Sequence, residues 1–301
     1  MKFVYQFRPN ATNDWAGWIG DRCLADIAVA AELAGFDAVC STDHPFPSAS
    51  WLAHGGHHSF DPFVALSFMA AATSRIRLMT FVMVAGYRNP YLAAKSAASL
   101  DVLSGGRLVL GMGAGYQQPE FEALGASFAD RGARADAVLR AMRAAWSGDV
   151  IERDDPHYPA HGNVALPVPL QRGGPPVWVG GNSKAAMRRV AELADGWLPF
   201  AQTAQMAAIT RTPVLAVEDL ADRIASISAA RAELGRDPSF DVCFSLPRHR
   251  DIEATIADIS NGVDDFARAG VTHLCIESRA VDAEASVAEL GRCAEPVAAM
   301  A

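Results

Sequence analysis

Strand-like and helix-like segments alternate from one end of the chain to the other, and this alternation limits the possible folds more than any other feature. Short, mostly apolar runs read as strands at residues 3–7, 38–41, 76–84, 108–111, 177–179, 196–200, 240–246 and 271–277. Between them, helical patterns span about 20–33, from 61 onward, 89–103, 131–146, 184–193, 217–234, 252–269 and 282–300. Several helices carry their own punctuation. Asp21 stands near the start of the first, and Gly35 stops it. Asp61-Pro62 and Asn89-Pro90 each place a capping side chain just before a proline, which suits a first helical turn. Gly235 and Gly270 end two later helices. Short apolar strands between amphipathic helices imply a parallel sheet covered by helices. Eight such units in 301 residues point to closure. The expectation is an α/β chain forming a single (β/α)8 TIM barrel over residues 1–301. An open, doubly wound sheet is the alternative. Two connections exceed what a barrel needs, 44–61 after strand two and 149–176 before strand five. They read as insertions. Barrel function sits on loops that follow strands, so 44–61 is the stronger candidate for a substrate loop.

Composition narrows the function classes. Half the residues are apolar, enough for a large core, yet no apolar run approaches the ~20 residues of a membrane span. The N-terminus runs straight into strand-like sequence without the sections of a signal peptide, so a cytoplasmic location is expected. A net charge of −8 without a basic cluster argues against nucleic acid. The five cysteines include no C-x-x-C spacing. Cys40, Cys243 and Cys275 lie in apolar strand-like runs, where a thiol behaves as a small hydrophobe. Neither a disulfide framework nor a cysteine zinc site is expected.

The chemistry-bearing residues gather at strand ends. Strand two ends in Asp43-His44, which puts two ionisable groups on the catalytic rim of a barrel. A capped turn with a half-buried histidine is the plain alternative. Strand three runs into Tyr87-Arg88-Asn89-Pro90, where an aromatic and a cationic group precede a helix start and offer contacts to an anionic ligand. Strand four ends in Gly111-Met112-Gly113-Ala114-Gly115-Tyr116. Its glycines permit close approach of a flat or phosphorylated ligand, but the spacing is not the dinucleotide fingerprint. Strand five ends in Gly180-Gly181-Asn182-Ser183-Lys184. Free backbone N–H groups, a hydroxyl and a helix start together make an anion site suited to phosphate, or else an ordinary cap by Asn182 or Ser183. His54, His57 and His58 lie in a glycine-bearing loop with only Asp61 nearby. They read as solvated loop histidines, and no metal site is expected. A G-x-S-x-G elbow is absent.

Taken in order, these segments resemble the luciferase-like flavin oxidoreductase family of bacteria. The resemblance rests on Ala31-Glu32-Leu33-Ala34-Gly35-Phe36-Asp37, Ser41-Thr42-Asp43-His44, the run from Tyr87 to Lys95, and the run from Leu100 to Tyr116. It continues through Glu120-Phe121-Glu122-Ala123-Leu124-Gly125, Pro176-Val177-Trp178-Val179-Gly180-Gly181 and Ala194-Asp195-Gly196-Trp197. It is strong to about residue 200 and weak beyond. It implies a flavin or deazaflavin lying across the strand ends, with His44 facing the reactive ring as the acid/base group. Asp43, Arg88 and Tyr116 would stand beside the cofactor. A bulge in strand three, often with a cis non-prolyl peptide, would back the ring at Phe81-Val82, although Phe81 is bulkier than the small residue common there. Gly113, Ala114 and Gly115 would border the cofactor, and Gly180, Gly181, Asn182 and Ser183 would hold its phosphate end.

Within the family, the Tyr-Arg-Asn-Pro and Asp-x-Leu-Ser-x-Gly-Arg runs resemble the branch that uses coenzyme F420. Ala114 stands where the luciferase pattern has an arginine that grips FMN phosphate. Arg107 is no substitute, because it begins strand four near the opposite face. The expected function is therefore hydride transfer between F420 and a small organic substrate. Two alternatives stand beside it. One is an FMN-dependent monooxygenase that uses oxygen and is fed by a flavin reductase, and the other is a flavin-binding protein without turnover. Phe46, Trp51 and Phe60 in the first insertion suit an uncharged or aromatic substrate. The resemblance also implies a homodimer.

Overall fold

A computed structural model describes residues 1–7, 15–20, 22–210, 212–246 and 251–300. Asp21, expected near the start of the first helix, lies outside them. The strands are β1 (Lys2–Gln6), β2 (Ala38–Ser41), β3 (Arg77–Val84), β4 (Leu108–Gly113), β5 (Ile151–Arg153), β6 (Ala160–Asn163), β7 (Val177–Gly180), β8 (Gly196–Leu198), β9 (Asp241–Ser245) and β10 (His273–Glu277). The α-helices are α1 (Cys23–Leu33), α2 (Ala49–Ala53), α3 (Pro62–Ala72), α4 (Pro90–Leu103), α5 (Gln118–Ala123), α6 (Arg131–Ala145), α7 (Lys184–Leu193), α8 (Ala204–Thr210), α9 (Leu220–Glu233), α10 (Ile252–Arg268) and α11 (Ala283–Met300). Eight strands close into a parallel barrel in the order β1-β10-β9-β8-β7-β4-β3-β2. All eight coincide with the strands read from the sequence, and the closed barrel replaces the open-sheet alternative.

Side chains alternate across each strand, so every strand serves two cores. Outward residues such as Phe3, Tyr5, Leu110 and Phe244 pack beneath the helices. Inward residues Val4, Cys40, Met79, Val109, Trp178, Leu198, Cys243 and Cys275 fill the barrel. All five cysteines are free, and those three in the barrel are fully buried, as their apolar settings suggested. Asp61 caps α3 by accepting from the N–H groups of Phe63 and Val64 at 3.0 and 3.1 Å. Asn89 caps α4 through the Tyr91 N–H at 2.9 Å. Arg107 lies at the base of β4 and caps the end of α3, donating to the carbonyls of Ala70, Thr73 and Ile76. Its exclusion from the rim follows from that placement.

The insertions carry structure that alternation alone could not reveal. Residues 44–61 contain the single-turn α2. Residues 149–176 contain the antiparallel pair β5–β6, and Gln171 ties this segment to buried Asp101 of α4 at 2.7 Å. No helix among the described residues is long and apolar enough to cross a membrane.

The N-terminal mouth of the barrel holds a cavity of about 360 Å³ lined by Lys2, Asp37, Arg77, Trp178 and His273 among others. His273 is 4% exposed. Burial, then the positive charges of Lys2, Arg77 and the chain's amino group, push its pKa down to about 3. An unfolded histidine titrates near 6.5, so below that pH the unfolded chain binds a proton that the folded one refuses. Stability therefore falls as pH drops from about 6.5 toward 3, by about 1.4 kcal/mol per unit from this group. In urea titrations between pH 6.5 and 5, His273→Gln should flatten the pH dependence by about one proton. Equal slopes in the two proteins would contradict the assignment.

Candidate functional site

At the C-terminal mouth, β2 ends in a carboxylate that holds three segments together. Asp43 is 2% exposed. It accepts the Val84 N–H at 2.9 Å and both arms of the Arg88 guanidinium at 2.6 and 3.0 Å. Arg88 reaches on to Asp61 at 2.7 Å, so it also ties the far end of the first insertion. Burial opposes the charge on Arg88, but the two carboxylates outweigh it and raise its pKa. The fork expected to meet an anionic ligand is thus closed on two aspartates, and Asp43 shapes the rim rather than presenting a free carboxylate.

The register of β3 against β4 shifts between Thr80 and Met83, and the Phe81–Val82 peptide within that bulge is cis, at the bond singled out from the sequence. Phe81 and Val82 are both partly buried against the inner-barrel core, so Phe81 does not swing away from it. Val82 lies against two bare backbones. A Cβ on Gly113 would stand 2.8 Å from it, and one on Gly180 3.0 Å. The rim at β3, β4 and β7 is therefore flat and closely packed. Gly115 has φ +81°, and a Cβ there would collide with Val84 and Phe121; glycine is needed on both counts. Ala114 packs, partly buried, against the outer core.

The β7 loop divides its tasks. Asn182 is fully buried. Its amide donates to the carbonyls of Phe200 and Pro213 and accepts the Phe200 N–H. Ser183 caps α7 through the Ala186 N–H at 3.2 Å, and the Gly181 N–H is taken by Leu198. The Asn182 side chain is thus spent on holding the loop. An anion at the start of α7 would meet backbone N–H groups of the first turn instead. Arg188 and Arg189 pair with Asp136.

His44 is 9% exposed and ringed by groups from three segments. Its Nδ1 lies 3.2 Å from Glu120 Oε2 and 3.0 Å from the Gln117 amide. Its Nε2 lies 3.5 Å from the Tyr116 hydroxyl. Trp51 and His57 pack against the ring, with centroids 4.5 and 4.9 Å away. His57 is 8% exposed, which corrects its reading as a solvated loop histidine, whereas His54 is exposed. Among the described residues no group of three or more His, Cys, Asp or Glu is placed to hold a metal ion.

Glu120 was not singled out from the sequence as a site residue. It stands on α5, is fully buried, and accepts from Tyr87 Oη at 2.7 Å and the Phe46 N–H at 2.9 Å as well as facing His44. Burial drives its pKa up, but the bonds from His44, Tyr87 and Phe46 outweigh burial and hold it below the usual range. The same carboxylate raises the pKa of Tyr87, after burial. The available signal was the Glu120-Phe121-Glu122-Ala123-Leu124-Gly125 run just past the glycine loop. Beside the histidine a cavity of about 430 Å³ is lined by Ser48, Ser50, Trp51, His54, Tyr116, Gln117, Gln118, Pro119, Phe128 and Gln205. None of these is Asp, Glu, Lys or Arg. Two buried polar atoms at the strand ends, Thr42 Oγ1 and Gln117 Oε1, have no hydrogen-bond partner.

Comparison with known proteins follows this geometry. The model of the luciferase-like monooxygenase family matches residues 22–267. A phthiodiolone/phenolphthiodiolone dimycocerosates ketoreductase of Mycobacterium tuberculosis is 31% identical over 184 residues, which cover 60% of this chain and 45% of that protein. The chain thus aligns with less than half the length of that relative. Two solved structures share the fold end to end. A monooxygenase from Streptomyces bottropensis superposes with a TM-score of 0.75 at 21% identity, covering 98% of both chains. An F420-dependent secondary alcohol dehydrogenase, solved with an F420-acetone adduct, gives 0.74 at 17% identity and 99% of both.

The Asp43–Arg88 pair can be tested apart from any activity. Removing one partner of a buried pair leaves an uncompensated charge. Arg88→Met should cost about 2–4 kcal/mol by chemical denaturation, less than a fully buried pair because the Arg88 side chain is 20% exposed. Adding Asp43→Leu should recover part of that loss. A cost below about 0.5 kcal/mol, the range of ordinary surface changes, would show that the pair does not hold the rim.

Proposed function

We propose that this chain, which belongs to the luciferase-like monooxygenase family, is an F420-dependent oxidoreductase that interconverts an uncharged carbonyl compound and its secondary alcohol. The observation that carries this reading is His44. Its imidazole is fixed through Nδ1 at the barrel rim, and Nε2 is directed to Tyr116, which lines the cavity. The flat surface of Val82 between Gly113 and Gly180 suits one face of a ring, and the unpartnered Thr42 hydroxyl suits its polar edge or the substrate. The start of α7 suits a phosphate.

When bound, the cofactor supplies the hydride to carbon or accepts it in the reverse direction. His44 supplies the proton that must reach the carbonyl oxygen, or takes it from the hydroxyl. Trp51, Tyr116 and Phe128 offer apolar walls, and Gln117 and Gln118 offer amides, so the cavity favours a neutral substrate. The substrate class draws on the printed activities of the ketoreductase relative and the secondary alcohol dehydrogenase. The choice of F420 over FMN rests on Ala114 in the glycine loop and on the closure of Arg88 by two aspartates.

The test is turnover of reduced F420 with a panel of neutral ketones. His44→Ala should lower kcat by about 10²-fold or more, the usual scale of general acid–base catalysis, and change the F420 dissociation constant less than threefold. Unchanged turnover in His44→Ala would remove the histidine from the mechanism.

A further inference from the structure

We infer that Glu120 is the positioning residue of the site: it fixes the proton of neutral His44 on Nδ1 and so leaves Nε2, which faces Tyr116 at the cavity wall, as the atom that exchanges protons with substrate. This rests on the proposed role of His44, but it is a statement about the histidine that can be read without turnover.

Two groups meet Nδ1, and they make different demands. Gln117 can turn its amide to offer either an oxygen or an N–H. An ionised carboxylate can only accept, so Glu120 at 3.2 Å requires a proton on Nδ1. Three donors converge on this carboxylate. Phe46 N–H meets Oε1 at 2.9 Å, while Tyr87 Oη at 2.7 Å and His44 share Oε2. All three favour the charged form, which offsets complete burial. The backbone N–H of Phe46 cannot rotate away and stands in the first insertion two residues from His44, so Glu120 sets both the loop and the ring.

The same geometry predicts what the isosteric amide would do. In Glu120→Gln, Phe46 N–H demands the amide oxygen at the Oε1 position. The amide nitrogen must then face His44 and Tyr87. A donor opposite Nδ1 requires a bare nitrogen, so the neutral ring should move its proton to Nε2. The other titratable or charged groups facing His44 are Tyr116 at Nε2, His57 on the ring, Tyr87 through Glu120, and the neighbouring Asp43, which is neutralised by Arg88 with Asp61 behind it.

The experiment is nitrogen-detected NMR of the histidine rings in the cofactor-free protein, with His44 assigned by its disappearance in His44→Asn. The wild type should show the Nδ1–H tautomer. Glu120→Gln should show Nε2–H. In turnover, kcat should fall about tenfold or more while KM changes less than threefold. Tyr87→Phe, which keeps the carboxylate and removes one competing donor, should retain Nδ1–H. It supplies the test if Glu120→Gln does not fold. An Nε2–H tautomer in the wild type or in Tyr87→Phe, or an unchanged Nδ1–H tautomer in Glu120→Gln, would overturn the assignment. The predicted tautomers with full turnover in His44→Ala would instead leave Glu120 in place and remove the catalytic role of His44.

Discussion

The buried Asp43 carboxylate holds the functional end of this barrel in shape. A charge almost out of reach of water must be paired and hydrogen-bonded, and its partners come from β3, from the turn before α4 and, through Arg88, from Asp61 at the start of α3. The pairing fixes where β3 ends beyond its bulge and where the first insertion returns to the barrel. His44 follows Asp43 directly in the chain, so the position of the histidine backbone inherits that constraint. Ser59 adds a second tie by accepting the His44 N–H at 2.7 Å. Ring orientation is then left to Glu120 and Gln117 on the far side.

Much of the barrel was legible because its signal is local. Each strand is a short apolar run and each following helix has a cap or a stop, as at Asp61-Pro62 and Asn89-Pro90, so order and approximate bounds follow from neighbouring residues. The β5–β6 pair was not legible. Its strands, Ile-Glu-Arg and Ala-His-Gly-Asn, are short and mostly polar, so no apolar alternation announces their pairing. The single-turn α2 is likewise too short for a periodicity to show.

The site divides in the same way. Asp43, His44 and the Phe81-Val82 bond were singled out because strand ends carry barrel chemistry and because the surrounding motifs resemble a known family. Glu120 and His57 were missed for a physical reason. A glutamate on a short helix and a histidine between glycines look solvated from sequence, and only tertiary packing buries them against His44. Asn182 and Arg88 show the reverse error. Polar side chains beside a glycine loop or a helix start look available to a ligand, yet the structure spends both on internal bonds. What sequence could not show was which polar groups the fold had already satisfied.

Cofactor identity is the claim on which the functional account turns, because it separates hydride transfer from oxygen chemistry on the same scaffold. The most direct measurement is a fluorescence titration of the purified protein with F420 and with FMN under matched conditions. The account predicts tight binding of F420 and weak binding of FMN. Tight FMN with weak F420 would contradict it, and would place the chain with the oxygen-using monooxygenases that depend on a separate reductase.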